Sequence, residues 1–163
     1  MYWLPWANDA YSPVAPSQEN PKLPGVESPV FATLLPASKT DDAIMRSSVA
    51  SAMIKADEGG IVTNGYYSLY FPPGALSEDT EITIEMPEFP SAVVKLGPHG
   101  IHFNKAVILS IPVDKFADGA SDYTTYWLNE DTGRWVPIGG SVYDGVVKTE
   151  LWHFSDYGIL DGQ

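Results

Sequence analysis

Residues 60–76, GIVTNGYYSLYFPPGAL, decide the fold of this chain. Two short runs rich in β-branched and aromatic residues flank Asn64 and Gly65. Asn-Gly is the strongest short signal for a β-hairpin, because both positions of a two-residue turn need positive φ. The second run ends at the PPG of residues 72–74, where proline removes the backbone donor that a strand needs. The stretch therefore predicts a strand, a tight turn at Asn64 and Gly65, and a second strand.

The chain after Gly59 continues this β pattern. In TEITIEM, residues 80–86, apolar residues at alternate positions predict a strand with one buried face. Further short apolar or aromatic runs are AVILSIPV (106–113), YTTYWLN (123–129), WVPIGG (135–140), GVVKTELWHF (145–154) and YGIL (157–160). None of them has the pattern of a crossover helix, so we predict an all-β, antiparallel β-sandwich. We expect Trp127, Trp135 and Trp152 in its core, since aromatic side chains bury the most area.

Residues 1–46 form a different kind of segment, and we place the sandwich in residues 47–163. Residues 1–36 hold seven of the fourteen prolines, a density that blocks helix and predicts an extended arm. The arm carries large apolar and aromatic side chains, which either bind a protein partner or pack on their own domain. Those that we expect at a partner interface are Tyr2, Trp3, Leu4, Trp6, Tyr11 and Phe31. Residues 37–57 fit either a short helix or a strand from Ser48, and the strands that follow favour the strand.

Charge and cysteine content limit the classes of function. A formal net charge of −12 argues against nucleic acid as a partner, because phosphate binding depends on lysine and arginine. It also argues against docking on anionic lipid through a basic patch. The chain has no cysteine, which excludes disulfides and thiolate metal sites. It shows neither a signal peptide nor the roughly 20 apolar residues that span a bilayer, so we expect it in the cytoplasm or peripheral to a membrane complex.

The polar motifs predict no metal and no cofactor. His99 and His102 have metal-ligand spacing, but they lie in a turn rich in glycine and proline, without a helix to align both rings. NEDTG, residues 129–133, lacks the spacing of a calcium loop and fits a hairpin turn better. No glycine-rich loop precedes a helix that would hold a phosphate.

Five landmarks, in a fixed order, resemble those of a ZU-five domain. They are EGGIV (58–62), YSLYFPPGAL (67–76), TEITIEM (80–86), LGPHGIHFNKAVILSIP (96–112) and HFSDYGIL (153–160). The resemblance covers about residues 47–160, and its nearest pattern is that of the bacterial relatives. It departs at Ala106, where relatives usually carry proline. The resemblance implies a β-sandwich that binds other proteins, with no cofactor and no substrate.

The segment of His153, Phe154 and Ser155, here called the HFS motif, has two interpretations. Certain members of the family cleave themselves at this tripeptide, which implies that Ser155 attacks the carbonyl of Phe154 while His153 acts as the base. The alternative follows from strand periodicity, which places Trp152 and Phe154 in the core and leaves His153 and Ser155 as a polar pair at a sheet edge. Only nine residues follow the bond, so cleavage would release no downstream domain.

From these features we predict a non-enzymatic protein–protein interaction module. It would serve as an accessory or scaffolding subunit of a larger assembly and bind its partner through the arm. That assembly can be a membrane-associated one. Two alternatives stay open. One is a domain that cleaves itself between Phe154 and Ser155, and the other is a cell-envelope module that binds carbohydrate or another surface.

Overall fold

The computed structural model describes residues 29–36, 49–117 and 119–161. Within these ranges the chain forms eleven β-strands and one turn of 3-10 helix, Val113–Lys115. The strands are β1 (Val49–Ile54), β2 (Gly60–Thr63), β3 (Ser68–Phe71), β4 (Thr80–Glu85), β5 (Val93–Gly97), β6 (His102–Pro112), β7 (Tyr123–Asn129), β8 (Arg134–Gly139), β9 (Ser141–Tyr143), β10 (Val146–His153) and β11 (Asp156–Asp161). The all-β prediction is confirmed. No helix in the described ranges is long and apolar enough to cross a membrane.

The strands form two antiparallel sheets. The larger sheet has six strands in the order β1-β4-β5-β11-β7-β8, and the smaller has five in the order β2-β3-β6-β10-β9. Buried and exposed residues alternate along most strands, so each sheet turns one face inward. One hydrophobic cluster fills the space between the two inner faces. The predicted antiparallel β-sandwich is therefore confirmed.

The hairpin of β2 and β3 forms where Asn64 and Gly65 predict it, but its loop differs. Four residues, not two, separate the strands. The Asn64 Oδ1 accepts hydrogen bonds from the backbone N–H groups of Tyr66 (3.0 Å) and Tyr67 (2.9 Å). Within the loop only Gly65 has positive φ, 95°. The expectation of positive φ at both positions is thus wrong, because Asn64 shapes the turn through its side chain.

The core is filled by tyrosine, phenylalanine and aliphatic side chains rather than by tryptophan. Its largest fully buried aromatic side chains are Tyr67, Tyr123, Tyr157, Phe71 and Phe154. Trp127 and Trp135 are half-buried, and of these two Trp127 packs against the core cluster. Trp152 is 38% exposed, so the prediction that it lies in the core is wrong.

Strand alternation explains the exposure of Trp152, and a β-bulge at the end of β10 explains why Phe154 is nevertheless buried. Thr149 and Leu151 face the core, which points Trp152 outward. The register of β10 against β6 then shifts between Leu151 and His153. The shift returns the chain to the interior, so Leu151 and Phe154 are both buried although they lie three positions apart.

Residues 29–36, which their composition groups with the arm, are built into the sandwich. The Ala32 N–H donates to the carbonyl of Ile159 in β11, and the Ala32 carbonyl accepts from Ala92, both at 2.9 Å. Leu34 is 1% exposed and belongs to the core cluster. This segment therefore contributes both backbone pairing and buried apolar area to the domain.

Phe31 packs on its own domain. Its ring meets Trp135 edge to face, with 4.7 Å between ring centroids. The ring also lies over Gly158, where a side-chain Cβ would occupy the same space. For Phe31 the structure thus shows packing on the home domain, and its contact with a partner stays a prediction. The other predicted partner contacts lie outside the described residues: Tyr2, Trp3, Leu4, Trp6 and Tyr11.

Candidate functional site

The HFS motif lies at a corner where the chain crosses from one sheet to the other. β10, in the smaller sheet, ends at His153, and β11, in the larger sheet, begins at Asp156. Phe154 and Ser155 make the crossing. The Phe154 ring fills the space between the sheets and packs edge-on against Phe103, with 4.8 Å between centroids. The corner therefore has a structural role independent of any reaction at its peptide bond.

His153 is enclosed by aromatic side chains. Its ring centroid lies 5.1 Å from that of Trp127, 5.9 Å from that of His102 and 6.2 Å from that of Tyr157. Burial lowers the pKa of His153 below its ordinary value. A hydrogen bond with the Phe154 backbone acts in the opposite direction, and the charge of His102 lowers the pKa further. The imidazole is therefore neutral at neutral pH, which is the state that a general base requires.

Backbone hydrogen bonds surround the peptide bond between Phe154 and Ser155. The Phe154 N–H donates to the carbonyl of Ile101 at 3.1 Å. The Phe154 carbonyl accepts from the Gly100 N–H at 3.4 Å, and the Ser155 carbonyl accepts from the Leu96 N–H at 3.3 Å. A donor thus already points at the oxygen that would become negatively charged if this carbonyl were attacked.

The Ser155 hydroxyl is hydrogen-bonded elsewhere and is not oriented as a nucleophile. It donates to the carbonyl of Leu128 in β7 at 3.3 Å, and Ser155 is only 5% exposed. In the described part of the chain this hydroxyl is bonded to Leu128 and not to the His153 ring. The expectation of a polar pair at a sheet edge is wrong for Ser155, because the bulge in β10 turns the corner inward.

A groove of about 340 Å³, here called the corner groove, opens beside the motif. Trp127, His99, Glu130, His153 and Ser155 are among the residues that line it. It brings the two ends of the motif to one surface together with acidic groups from the turn after β7. Among the described residues no group of three or more histidines and carboxylates is arranged to hold a metal ion.

His99 ties the loops around the corner groove together. Its Nδ1 lies 3.3 Å from Glu130 Oε2, and its Nε2 lies 3.2 Å from Asp156 Oδ1. His102, which has metal-ligand spacing from His99 in the sequence, instead contacts the Gly100 carbonyl at 3.1 Å. The two histidines thus have separate partners. No local pattern predicts these contacts, since His99 and Asp156 are 57 positions apart.

A second surface, on the outer face of the smaller sheet, carries an exposed apolar row. Ile61 in β2 pairs with Tyr70 in β3, and Tyr70 pairs with Ile108 in β6. Ile61 is 64% exposed and Tyr70 46%. Trp152 lies on the same outer face of β10, two positions from Glu150, which pairs with Ile108. We call Ile61, Tyr70, Ile108 and Trp152 the apolar row.

No protein-family model and no curated protein matches the chain. The resemblance of its landmarks to a ZU-five domain therefore stays a prediction from the residues. A sandwich fold supports many unrelated tasks, so the function has to be inferred from the surfaces that this one presents.

Proposed function

We propose that this protein is a non-enzymatic protein-interaction module, acting as an accessory or scaffolding subunit of a larger assembly. The observation that supports the proposal is the apolar row. The outer face of an antiparallel sheet is normally polar, yet here Ile61 and Tyr70 are paired on that face and remain largely exposed. A partner that covers them would bury apolar area, which stabilises the complex by about 25 cal/mol per Å² removed from water.

The surroundings of the apolar row have the composition of an interface rim. The next row along the same strands pairs Thr63 with Ser68, Ser68 with Ser110, and Ser110 with Lys148. All four residues are polar and lie on the outer face. An apolar centre containing tyrosine and tryptophan beside a polar margin is the usual anatomy of a protein–protein interface.

The N-terminal arm is the second part of the proposal. Large aromatic and aliphatic residues at its start, which lie outside the described residues, would supply further anchors, as an extended segment does when it docks on a partner. These are Tyr2, Trp3, Leu4, Trp6 and Tyr11. Phe31, the other predicted contact, packs against Trp135.

A cross-linking experiment tests the apolar row. A photoreactive phenylalanine at position 70 of the full chain should cross-link a partner protein in the native host. The same residue at position 68, in the polar row, should cross-link it less. The double variant Ile61→Ser, Tyr70→Ser should lose co-purification of that partner, whereas the matched control Thr63→Ala, Ser68→Ala keeps it. Unchanged co-purification with the serine variant, or binding of glycans that depends on Tyr70, would contradict the proposal.

Self-cleavage is a second candidate, and one observation favours it: the Gly100 N–H at the Phe154 carbonyl, beside a neutral His153. In this reaction the Ser155 hydroxyl leaves Leu128, passes its proton to His153 and attacks the Phe154 carbonyl carbon. The C–N bond breaks, which leaves an ester and a free Ser155 amine that takes the proton. Water then hydrolyses the ester to the Phe154 carboxylate.

Intact mass decides this second candidate. Long incubation of purified protein should yield a chain that lacks the last nine residues, and Ser155→Ala should stay whole. An unchanged mass of the unmodified protein would reject self-cleavage without affecting the interaction proposal.

A further inference from the structure

β1 is the outermost strand of the larger sheet, and its second edge is open in the described part of the chain. All six of its residues pair with β4, from Val49 with Glu85 to Ile54 with Thr80, without a register break. Ala50 and Ala52 face the core yet are only half-buried. Their exposure is what an uncovered sheet edge produces, and a further strand there would complete their burial.

The backbone groups on this open edge can be identified from two hydrogen bonds just beyond β1. The Ala56 N–H donates to Asp79, on the β4 side, at 2.9 Å. The Lys55 carbonyl accepts from Gly59, on the opposite side, also at 2.9 Å. The N–H and C=O groups of successive residues in a strand point to opposite sides. The odd-numbered residues of β1 therefore direct these groups to the open edge. These residues are Val49, Ser51 and Met53, and all three side chains are exposed.

β1 lacks the features that protect the other sheet edges. β8, at the opposite end of the larger sheet, contains Pro137. In the smaller sheet, edge strand β2 has four residues and begins at Gly60, and edge strand β9 has three. The sequence of β1, VASAMI, has no charge, proline or glycine. A sheet edge without such features accepts another strand unless something opposes it.

The charges around β1 indicate what kind of strand it accepts. Glu85 and Glu81, both in β4, pair directly with Val49 and Met53 and lie on the outer face. Further exposed carboxylates around β1 and its connections are Asp57, Glu58, Glu78 and Asp79. Among the described residues, the nearby cations are Lys55, which pairs with Asp79 at 4.0 Å, and Lys95, opposite Glu85. A second copy of this chain, itself of net charge −12, is repelled here, whereas a basic segment is attracted.

We propose that the open edge of β1 binds an extended segment of another protein that alternates apolar and basic residues, and that this segment adds to the larger sheet as a further strand. Its backbone bonds to Val49, Ser51 and Met53, and its lysines or arginines lie near Glu81 and Glu85. The inference deepens the proposed function by naming a class of partner. It uses the backbone edge of β1 in the larger sheet, whereas the apolar row lies on the outer face of the smaller sheet.

A peptide of alternating valine and lysine, acetylated and amidated, is the probe. In ¹⁵N NMR spectra of the full chain it should shift the amides of Val49, Ser51 and Met53 and slow their hydrogen exchange, and binding should weaken with salt. The matching valine–glutamate peptide should not bind. Ser51→Pro removes an N–H from the open edge and should weaken binding about tenfold or more. Met53→Lys keeps the backbone intact and should also weaken it through charge repulsion.

Two control variants and one further test variant make the outcome decisive. Ile61→Ser, Tyr70→Ser should bind the peptide normally, so failure of the apolar row and failure of the β1 site are distinguishable. Glu81→Gln should weaken binding, whereas the matched Glu150→Gln on the other sheet should not. Binding that survives Ser51→Pro would be non-specific attraction and would overturn the proposal. Self-association that Ser51→Pro abolishes would overturn it too, in favour of a second copy on this edge.

Discussion

At the scale of single residues, His153 has a half-buried ring and a backbone carbonyl that bonds to a buried hydroxyl. Its ring packs edge-on against Trp127, and its carbonyl accepts a hydrogen bond from the buried Tyr157 hydroxyl at 2.5 Å. Burial lowers the pKa of His153 and raises that of Tyr157. Both side chains are therefore neutral in the folded protein at neutral pH, and the corner contains no uncompensated charge from either of them.

The lowered pKa of His153 predicts a loss of stability on acidification. In the unfolded chain the imidazole takes up a proton below about pH 6.5, whereas the folded protein resists protonation until a lower pH. The neutral His153 ring thus makes its full contribution to the free energy of unfolding above pH 6.5. That contribution is lost as the pH falls from there through the pKa of His153 in the folded protein. Urea unfolding between pH 7.5 and 5 should show a steeper loss of free energy for the unmodified protein than for His153→Phe. If the free energy of unfolding fell with pH equally in both proteins, the pKa of His153 would not be lowered by folding.

His102 supplies an independent check on the same residue. Its charge lowers the pKa of His153, but desolvation is the larger cause. In NMR titrations His102→Gln should therefore raise the pKa of His153 while leaving it below the ordinary value. A return to the ordinary value would show that charge, not burial, controls this histidine.

At the scale of elements, one polar contact joins the two sheets inside the core. The hydroxyls of Thr125 in β7 and Thr149 in β10 are 2.7 Å apart, and both residues are buried. Gly140, between β8 and β9, passes beside them with φ +100°, and a Cβ there would lie 2.8 Å from Thr149 Oγ1. The connection between the sheets thus needs glycine where it meets this pair.

A double-mutant cycle tests the threonine pair. Thr125→Val should lower the free energy of unfolding by about 1–3 kcal/mol, because it leaves the Thr149 hydroxyl buried without a partner. Thr149→Val should do the same. The double variant should lose clearly less than the sum, since both polar groups are then gone. Additive losses, measured by urea denaturation, would show that the two hydroxyls do not stabilise each other.

At the scale of the whole molecule, the sandwich includes a segment distant from it in the sequence. Leu34 is buried in the core, and its N–H donates to the carbonyl of Pro90 at 2.7 Å. The carbonyl of Leu35 accepts from the hydroxyl of Tyr66 at 2.5 Å. Residues 29–36 therefore connect loops from both sheets, and the domain depends on them.

Two truncations of different length test this dependence. Deletion of residues 1–36 should destabilise the protein more than deletion of residues 1–28, because only the longer one removes Ala32 and Leu34 from the core. The point variant Leu34→Ala should cost about 2–5 kcal/mol, as large core truncations do. Thermal unfolding of the three proteins beside the full chain gives the comparison. Equal stability of the two truncations would contradict the role of residues 29–36.

The candidate sites were predictable only in part from the sequence. The HFS motif and its position at a strand end were visible, and so was the strand that became β1. The strand pattern does not reveal the apolar row, although Ile61 and Tyr70 stand at alternate positions to the buried Val62 and Leu69. Their pairing across β2 and β3 depends on register, which a single strand pattern does not contain.

The sequence alone determined the all-β class, the hairpin at Asn64 and Gly65 and the sandwich, because strand periodicity and turn chemistry are local. Only the tertiary structure decided that Trp152 faces outward, that Ser155 binds Leu128 and that Phe31 packs over Gly158. Each of these depends on a bulge or on contacts between distant parts of the chain. Local patterns specify which residues form strands, whereas the packing of two sheets specifies which side chains those strands leave exposed.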